Sequence, residues 1–205
     1  NKIDVWIITH GDEDHCSGAL ELIRSGYPVR YLVLAEAMPE DQARDDLLEA
    51  ARENNTEVIW AGAGDSLVLD DCRMTCLYPE KEEEGTDTNG LSQVWSFEKE
   101  GVSVLFTGDI GTDAEEKLLR RGIAGEYMIL KVAHHGSGTS SGEEFLKRVS
   151  PEYAVISCGK DNFYGHPHKE TLKRLEEAGS TVLQTTERGQ ITVSETRNGW
   201  GICFP

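Results

Sequence analysis

The stretch His10-Gly11-Asp12-Glu13-Asp14-His15 stands between an apolar run and a segment with helical spacing. The preceding run, Ile3-Asp4-Val5-Trp6-Ile7-Ile8-Thr9, is rich in β-branched and aromatic residues and predicts a buried strand. The following segment, Ala19-Leu20-Glu21-Leu22-Ile23, predicts a helix, which we expect to begin at Ser17 or Gly18. The polar stretch therefore lies at the carboxyl end of a strand, in the turn entering a helix, where α/β proteins place their ligands.

Imidazole and carboxylate side chains in this turn can bind metal ions. His10 and Asp12 are two residues apart and can share one side of an extended chain, whereas the adjacent Asp14 and His15 must diverge or lie on a bend. The turn thus offers two pairs of ligands to two neighbouring divalent ions such as Zn²⁺ or Mn²⁺. All six histidines of the chain lie in three clusters, of which the other two are His134-His135-Gly136-Ser137 and His166-Pro167-His168.

Asp109 follows a second β-forming run, Val102-Ser103-Val104-Leu105-Phe106. An Asp in this position is commonly the N-cap of the next helix, which we predict over residues 113–121. A carboxylate can also bridge two cations about 3.5–4 Å apart, as a two-metal hydrolytic site requires. The neighbouring histidine clusters favour the bridging interpretation.

The strand predicted over residues 127–133 leads to His134 and His135. Adjacent side chains on an extended backbone diverge, so we expect one of the two to bind metal and the other to face substrate. The small-residue loop over residues 136–142 has two interpretations. It either presents N–H and hydroxyl donors to phosphate oxygens or is an ordinary flexible loop.

The last predicted strand of this kind, over residues 153–157, leads towards His166 and His168. Pro167 fixes the backbone between them, and an amphipathic helix is predicted from Lys169 through Ala178. His168 can cap that helix or face solvent. His166 is therefore the better candidate ligand.

These motifs together resemble the metallo-β-lactamase superfamily. Within it they are most similar to the hydrolase-like domain at the carboxyl end of the ComEC DNA-uptake channel proteins, and bacterial phosphorylcholine esterases share the same outline. Asp12 stands where most of the superfamily has His, and Asn89-Gly90-Leu91-Ser92 also fits the ComEC subgroup. The motifs that carry the resemblance are His10-Gly-Asp-Glu-Asp-His15, Thr107-Gly-Asp109, His134-His-Gly-Ser137 and Gly165-His-Pro-His168.

The resemblance implies an α/β fold, an αββα sandwich of the metallo-β-lactamase type. Family members usually begin with a strand pair that this sequence lacks before Asn1, so we expect residues 1–205 to be one hydrolase domain and a fragment of a longer chain. The resemblance also implies roles for individual residues. One metal is held by His10, Asp12 and His134, a second by Asp14, His15 and His166, with Asp109 bridging and His135 contacting substrate or protonating the leaving group.

Composition adds limits to this interpretation. A chain of 205 residues suits one α/β domain, and no run of 18 apolar residues predicts a membrane span. Five cysteines without a CxxC pair predict neither a zinc knuckle nor a disulfide framework, and Cys16 is expected to pack beneath the helix. The acidic segment over residues 79–89 is expected to be a solvated loop.

A net charge of −17 argues against nucleic-acid binding through diffuse electrostatics. Two divalent ions would more than neutralise Asp12, Asp14 and Asp109, which leaves local attraction for one phosphate.

We therefore expect a dinuclear metal-dependent hydrolase of phosphoester bonds. The oxygen-rich ligand set makes Mn²⁺ a competitor of Zn²⁺. The ComEC likeness implies a nuclease acting on single-stranded DNA within the extracytoplasmic part of a bacterial membrane channel protein linked to competence. One alternative is a small-substrate esterase of the phosphorylcholine type, with aromatic candidates Trp60, Trp95, Phe163 and Tyr164 for a quaternary ammonium. The other is a weakly catalytic scaffold domain of a membrane DNA-uptake assembly.

Overall fold

The computed structural model describes residues 1–123, 125–197 and 199–205. The contacts among them divide into two compact units. The first unit comprises Asn1–Asp65 and Cys76–Val94, and the second comprises Ser66–Thr75 and Trp95–Pro205. The sequence prediction of one domain over residues 1–205 stays a prediction.

The first unit is built on parallel strands joined by helices. Its elements are β1 (Ile3–Ile7), α1 (Glu13–Arg24), β2 (Val29–Ala35), α2 (Gln42–Glu53) and β3 (Glu57–Ala61). The strands form a sheet in the order β1-β2-β3, and both neighbouring pairs are parallel. Parallel neighbours need a crossover connection, which α1 and α2 provide.

The central strand β2 is the most deeply buried strand of the first unit's sheet. Leu32, Val33 and Leu34 are all fully buried, as expected for a parallel strand covered on both faces. Ile23 from α1 and Leu47 from α2 belong to the same buried cluster as Leu32 and Leu34. The carboxyl end of β1 is therefore fixed by its pairing with a fully packed strand.

The start of α1 differs from the prediction. The helix begins at Glu13 and not at Ser17 or Gly18, because the extended residue Asp12 is its N-cap, and the Asp12 carbonyl accepts from the N–H of His15 and Cys16. Acidic side chains in a first turn stabilise the positive end of the helix dipole, and Glu13 and Asp14 occupy that turn. The second half of the metal-binding stretch is thus helical.

The second unit contains most of a larger sheet and four α-helices. The strands that lie wholly or partly in this unit are β4 (Ser66–Leu69), β5 (Cys72–Tyr78), β6 (Val94–Lys99), β7 (Val102–Phe106), β8 (Ile129–Lys131), β9 (Tyr153–Ile156), β10 (Thr181–Gln184), β11 (Thr192–Thr196) and β12 (Gly199–Cys203). The helices are α3 (Thr112–Arg120), α4 (Glu143–Val149), α5 (Lys169–Glu177) and α6 (Thr185–Arg188), and a short 3₁₀ turn spans Ala133–Gly136. The sheet order is β10-β9-β8-β7-β6-β5-β4, and β11 pairs with β12 in an antiparallel hairpin.

The parallel part of this sheet brings three connecting segments to one edge. β7, β8 and β9 are parallel neighbours, with Phe106 opposite Lys131 and Lys131 opposite Val155. Because carboxyl ends of parallel strands meet at one edge, the segments that follow these strands leave the sheet side by side. Those segments carry Asp109, the histidine pair of the 3₁₀ turn, and His166.

The predicted strand Val102–Phe106 and the predicted helix from Lys169 are confirmed. Among the residues that the structure describes, the longest helices have 12 residues, and none is long and apolar enough to cross a lipid bilayer.

Candidate metal centre

Four predicted ligands follow β1, and we call them the first-unit cluster: His10, Asp12, Asp14 and His15. His10 is buried, and its Nδ1 lies 3.0 Å from the Thr9 hydroxyl. The rings of His10 and His15 lie side by side, with centroids 4.1 Å apart and an angle of 43° between their planes. The helical turn at Glu13 therefore brings His15 back onto His10.

Each imidazole of this cluster has a carboxylate near it. Asp12 Oδ2 lies 3.8 Å from His10 Nε2, and Asp14 Oδ2 lies 3.6 Å from His15 Nε2. The Thr88 hydroxyl donates to Asp12 Oδ1 at 2.7 Å and so orients that carboxylate. Thr88 lies in the acidic segment predicted as a solvated loop. Sequence reasoning missed its role because the two residues are 76 positions apart.

Cys16 lies next to this cluster, but its thiol is not a candidate metal ligand. Its side chain is buried, and the thiol donates to the Gly11 carbonyl at 3.2 Å. Burial raises the pKa of the Cys16 thiol, and the nearby charge of Asp12 raises it further. Since a thiolate is the form that binds metal, the donors of the first-unit cluster are nitrogen and oxygen.

The remaining predicted ligands and His135 lie in the second unit, and we call them the second-unit cluster: Asp109, His134, His135 and His166. Asp109 is 3% exposed, and its Oδ2 lies 3.2 Å from His135 Nε2 and 4.0 Å from His134 Nε2. The N-cap of α3 is Gly111, so the alternative interpretation of Asp109 as the helix cap is wrong. Its buried carboxylate faces imidazoles instead.

The backbone of the histidine pair is left-handed. His134 has φ 49° and His135 has φ 54°, so the expectation of an extended backbone with diverging side chains is wrong. Both rings reach towards Asp109, with their centroids 6.4 Å apart. A residue other than glycine in this region costs about 1–3 kcal/mol, and such strain concentrates at functional sites.

Neighbouring contacts hold this strained turn. The His134 N–H donates to the Gly108 carbonyl at 3.1 Å, and the His168 N–H donates to the Gly136 carbonyl at 2.9 Å. Gly136 has φ 84°, and a Cβ there would lie 2.6 Å from Cβ of Pro167, so only glycine fits. The turn is thus fixed from both the Asp109 segment and the His166 segment.

His135 is oriented through both ring nitrogens. Its Nδ1–H donates to the Ser157 carbonyl at 2.7 Å, which turns Nε2 towards Asp109. The hydrogen bond to Asp109 raises the pKa of His135 above its ordinary value, although partial burial opposes this. His135 is therefore suited to holding and releasing a proton.

His166 and His168 have different surroundings. Asn162 grips the backbone of His166, since its Oδ1 accepts from the His166 N–H at 2.9 Å and its Nδ2 donates to the His166 carbonyl at 2.6 Å. Burial, followed by the charge of His134, lowers the pKa of His166 and so favours the neutral imidazole that binds metal. Its ring centroid lies 5.5 Å from that of His134.

Both ring nitrogens of His168 are used within the protein. The Gly138 N–H donates to Nδ1 at 2.7 Å, so Nε2 carries the hydrogen and donates to the Tyr164 carbonyl at 3.2 Å. His168 occupies the N-cap position of α5 without making a side-chain cap bond. These contacts make His168 a structural support of the loop, and they favour His166 as the ligand.

The small-residue loop over residues 136–142 uses several of its donors within the protein. The N–H groups of Ser137 and Ser140 donate to backbone carbonyls, and that of Gly138 donates to His168. The Ser140 hydroxyl donates to the carbonyls of Ala133 and Ser137, each at 3.2 Å. These bonds favour a structural support over the two interpretations from the sequence, a phosphate cradle and a flexible loop.

Glu115 and Arg174 hold the far end of this loop. The buried carboxylate of Glu115 accepts from the N–H of Ser141 at 2.5 Å and of Gly142 at 2.8 Å. Arg174 donates to the carbonyls of Ser140 and Ser141 at 2.8 and 2.9 Å. Burial raises the pKa of Glu115, while these N–H groups and Arg174 act in the opposite direction. The sequence did not indicate a role for Glu115 or Arg174, because the partners of each lie more than 25 positions away along the chain.

The donor chemistry of each cluster fits a divalent metal ion. Each brings imidazole nitrogen within 4.0 Å of carboxylate oxygen. Neither cluster includes a thiol. Ions such as Zn²⁺ and Mn²⁺ accept this combination of ligands.

Comparison with known proteins identifies the family to which the chain is similar. The profile of the Metallo-beta-lactamase superfamily matches residues 1–160. The chain is 33% identical over 190 residues to ComE operon protein 3 of Bacillus subtilis, covering 93% of this chain and 24% of that protein. It is 39% identical over 119 residues to competence protein ComA of Neisseria gonorrhoeae, covering 58% and 17%. It is 30% identical over 192 residues to recombination protein 2 of Haemophilus influenzae, covering 94% and 22%. The chain thus spans about a quarter or less of the length of these relatives.

Solved structures show the fold. The diiron β-hydroxylase CmlA of Streptomyces venezuelae matches with a TM-score of 0.56 and 14% identity, over 89% of this chain and 43% of that chain. Zn²⁺-bound PqqB of Methylobacterium extorquens matches with a TM-score of 0.52 and 15% identity, over 89% and 71%. The metallo-β-lactamase fold protein YhfI of Bacillus subtilis matches with a TM-score of 0.50 and 12% identity, over 88% and 74%. The predicted fold class is confirmed.

Removal of the Glu115 carboxylate tests the support of the loop. Glu115→Ala leaves two N–H groups without their acceptor, so the free energy of unfolding should fall by about 2–5 kcal/mol in urea titrations. Glu116→Ala, on the same helix, removes only an exposed carboxylate 3.3 Å from Arg120 and should change that free energy by less than about 0.5 kcal/mol. Equal losses in the two variants would contradict the support role.

Metal content distinguishes the two histidines on either side of Pro167. His166→Ala should lose about one bound ion per chain because a ligand is removed, whereas His168→Ala should lose much less. Elemental analysis of protein loaded with Mn²⁺ or Zn²⁺ measures this. If His168→Ala lost as much metal as His166→Ala, the assignment of the ligand would have to be exchanged between them.

Proposed function

Because this chain belongs to the metallo-beta-lactamase superfamily of metal-dependent hydrolases, we propose that it hydrolyses phosphodiester bonds and that single-stranded DNA is its substrate class. The observation that carries the proposal is the pair formed by buried Asp109 and His135, 3.2 Å apart. This pair places an imidazole whose pKa is raised beside a carboxylate suited to binding metal. Relatives named for competence and recombination support nucleic acid as the substrate.

We propose that the ligand set implied by the family resemblance would hold two divalent ions, Zn²⁺ or Mn²⁺. His10, Asp12 and His134 would be ligands of one ion, Asp14, His15 and His166 of the other, and Asp109 of both. When bound, such ions lower the pKa of water and polarise phosphoryl oxygens. The residues of the chain prepare these ligands, since Thr88 orients Asp12 and Asn162 holds the backbone of His166.

His135 is proposed to supply the proton that the leaving oxygen needs. The Ser157 carbonyl holds Nδ1–H at 2.7 Å, so Nε2–H is the proton that can be delivered. Because the Ser157 carbonyl binds Nδ1–H, the Nε2–H of His135 points away from the backbone.

The net negative charge of the protein limits the length of nucleic acid that can bind. A net charge of −17 opposes a long duplex, which needs a basic stripe to release counterions. Two bound ions would outweigh the three carboxylates among the proposed ligands and attract a single phosphate. Short single-stranded segments are therefore the favoured substrate, and a membrane channel protein for DNA uptake is the proposed larger assembly.

The two alternatives receive less support. An esterase of the phosphorylcholine type needs an aromatic cage, but Trp95 is 1% exposed and belongs to the protein interior, and Trp60 stacks with Arg44 at 5.0 Å. A weakly catalytic scaffold domain has little need of the buried Asp109 carboxylate, whose desolvation is costly.

The proposal is tested by hydrolysis of bis-nitrophenyl phosphate and of a single-stranded oligonucleotide by protein loaded with Mn²⁺ or Zn²⁺. Asp109→Ala should abolish turnover and remove most bound metal, because a bridging carboxylate serves both ions. Asp113→Ala removes an exposed carboxylate from the first turn of α3 and should leave both nearly unchanged. Metal-loaded, folded wild-type protein that hydrolysed neither substrate would refute the proposed function.

Substitution of His135 tests the proposed proton donor. His135→Ala should lower turnover by about 10²–10⁴-fold on a nucleotide leaving group, and by much less on nitrophenolate, which needs no protonation. Metal content should stay near the wild-type value. A carbonyl that fixes Nδ1–H is also how proteins orient a histidine ligand, so loss of an ion in this variant would assign His135 to the metal and His134 to the substrate.

A further inference from the structure

Two neighbouring aromatic side chains of the second unit project into solvent near the second-unit cluster. Phe163 is 106% exposed and Tyr164 is 78% exposed, relative to their reference areas. Large aromatic side chains are usually placed where they can bury their faces, so adjacent exposed rings indicate an interaction surface.

The loop that carries these rings is fixed rather than loose. The Asn162 side chain donates to the Gly159 carbonyl at 2.9 Å, and the Gly165 N–H donates to the Asn162 carbonyl at 3.2 Å. His168 donates to the Tyr164 carbonyl, which anchors the backbone between the two rings and α5. The exposure of Phe163 and Tyr164 is therefore a property of an ordered loop.

The Tyr164 ring continues a row that ends at Asp109. The Tyr164 ring lies 5.7 Å from the His166 ring with 22° between their planes. The His166 ring lies 6.3 Å from the His135 ring with 18° between their planes. His135 in turn contacts Asp109. A flat group added at the solvent end would extend this row.

We propose that Phe163 and Tyr164 form a stacking platform for bases of single-stranded nucleic acid, next to the phosphodiester that is cleaved. The inference rests on the proposed function and names how its substrate is held. Open ring faces suit a base, because each base has a flat π-face, and stacking tolerates any sequence. A quaternary ammonium would instead need several rings around it, and Phe163 is exposed on all sides.

The rest of the loop is compatible with this occupant. Lys160 is exposed on the same loop, next to the exposed Asp161, and its long side chain offers a positive charge to a neighbouring phosphate. A lipid surface is less suited to this loop, because interfacial segments are typically rich in Lys and Arg, whereas Lys160 is the one Lys or Arg between Ser157 and His168.

Two oligomers of equal length test the platform: oligothymidylate and an abasic deoxyribose phosphate chain. In metal-loaded protein, Phe163→Ala should raise KM and Kd for oligothymidylate about 5- to 100-fold, the range expected for the loss of one stacked base. Both constants for the abasic oligomer should change less than about twofold, because it has nothing to stack. Phe163→Trp should retain the wild-type preference for oligothymidylate.

Phe163 is the better test position, since Tyr164 contacts His166 and its loss could disturb a proposed ligand. Phe204→Ala, at an aromatic residue 41% exposed near the carboxyl end, is the matched control and should leave both oligomers unaffected. Kd is measured by fluorescence anisotropy, so the platform is tested even if turnover is absent.

Different results separate the two hypotheses. Equal Kd values of wild-type protein for the two oligomers, or equal effects of Phe163→Ala on both, would overturn the platform and leave phosphodiester hydrolysis standing. Oligothymidylate binding that depends on Phe163 without any hydrolysis would support the platform and refute the proposed function. Binding to phosphatidylcholine vesicles that depends on Phe163, with no preference for oligothymidylate, would assign the rings to a membrane and overturn the inference.

Discussion

The buried carboxylate of Asp109 is the constraint on which the arrangement of the second unit depends. A charge that is removed from water is tolerated only if it is paired and hydrogen-bonded. His135 and His134 provide that pairing at 3.2 and 4.0 Å, and they can do so only because the backbone at both positions is left-handed. The need to satisfy one carboxylate, on the segment after β7, therefore explains an otherwise costly backbone conformation on the segment after the neighbouring strand β8.

Hydrogen bonds to the turn and to the loop that follows it offset the backbone strain at His134 and His135. Gly108 and Gly136 accept bonds that fix the turn, and the Gly138 N–H is held by His168. Beyond them, Glu115 and Arg174 satisfy the donors and acceptors at the end of the loop. A functional geometry thus rests on a polar network that joins the segments after β7 and β8 to side chains of α3 and α5.

The sequence predicted the parts of the fold that depend on local pattern. A run of β-forming residues located Val102–Phe106, and helical spacing located the helix from Lys169. The start of α1 was misplaced because its first turn is polar, and periodicity begins only further along. The motifs located the candidate ligands, but the left-handed histidines and the inward bonds of the loop depend on contacts with residues distant in sequence. Thr88 and Glu115 could not be found for the same reason, since a Thr or Glu alone carries no signal of its partner.

The left-handed backbone at positions 134 and 135 also restricts how this site could change over evolution or by design. Asn, Asp and His are the residues besides glycine that adopt this region most readily, whereas β-branched residues are strongly disfavoured. Exchanges among imidazole, carboxylate and amide are therefore open to these positions, while a Val, Ile or Thr would be opposed by the main chain itself. The backbone acts as a filter on the repertoire of side chains, and the residues that it admits are largely those that can bind metal or transfer a proton.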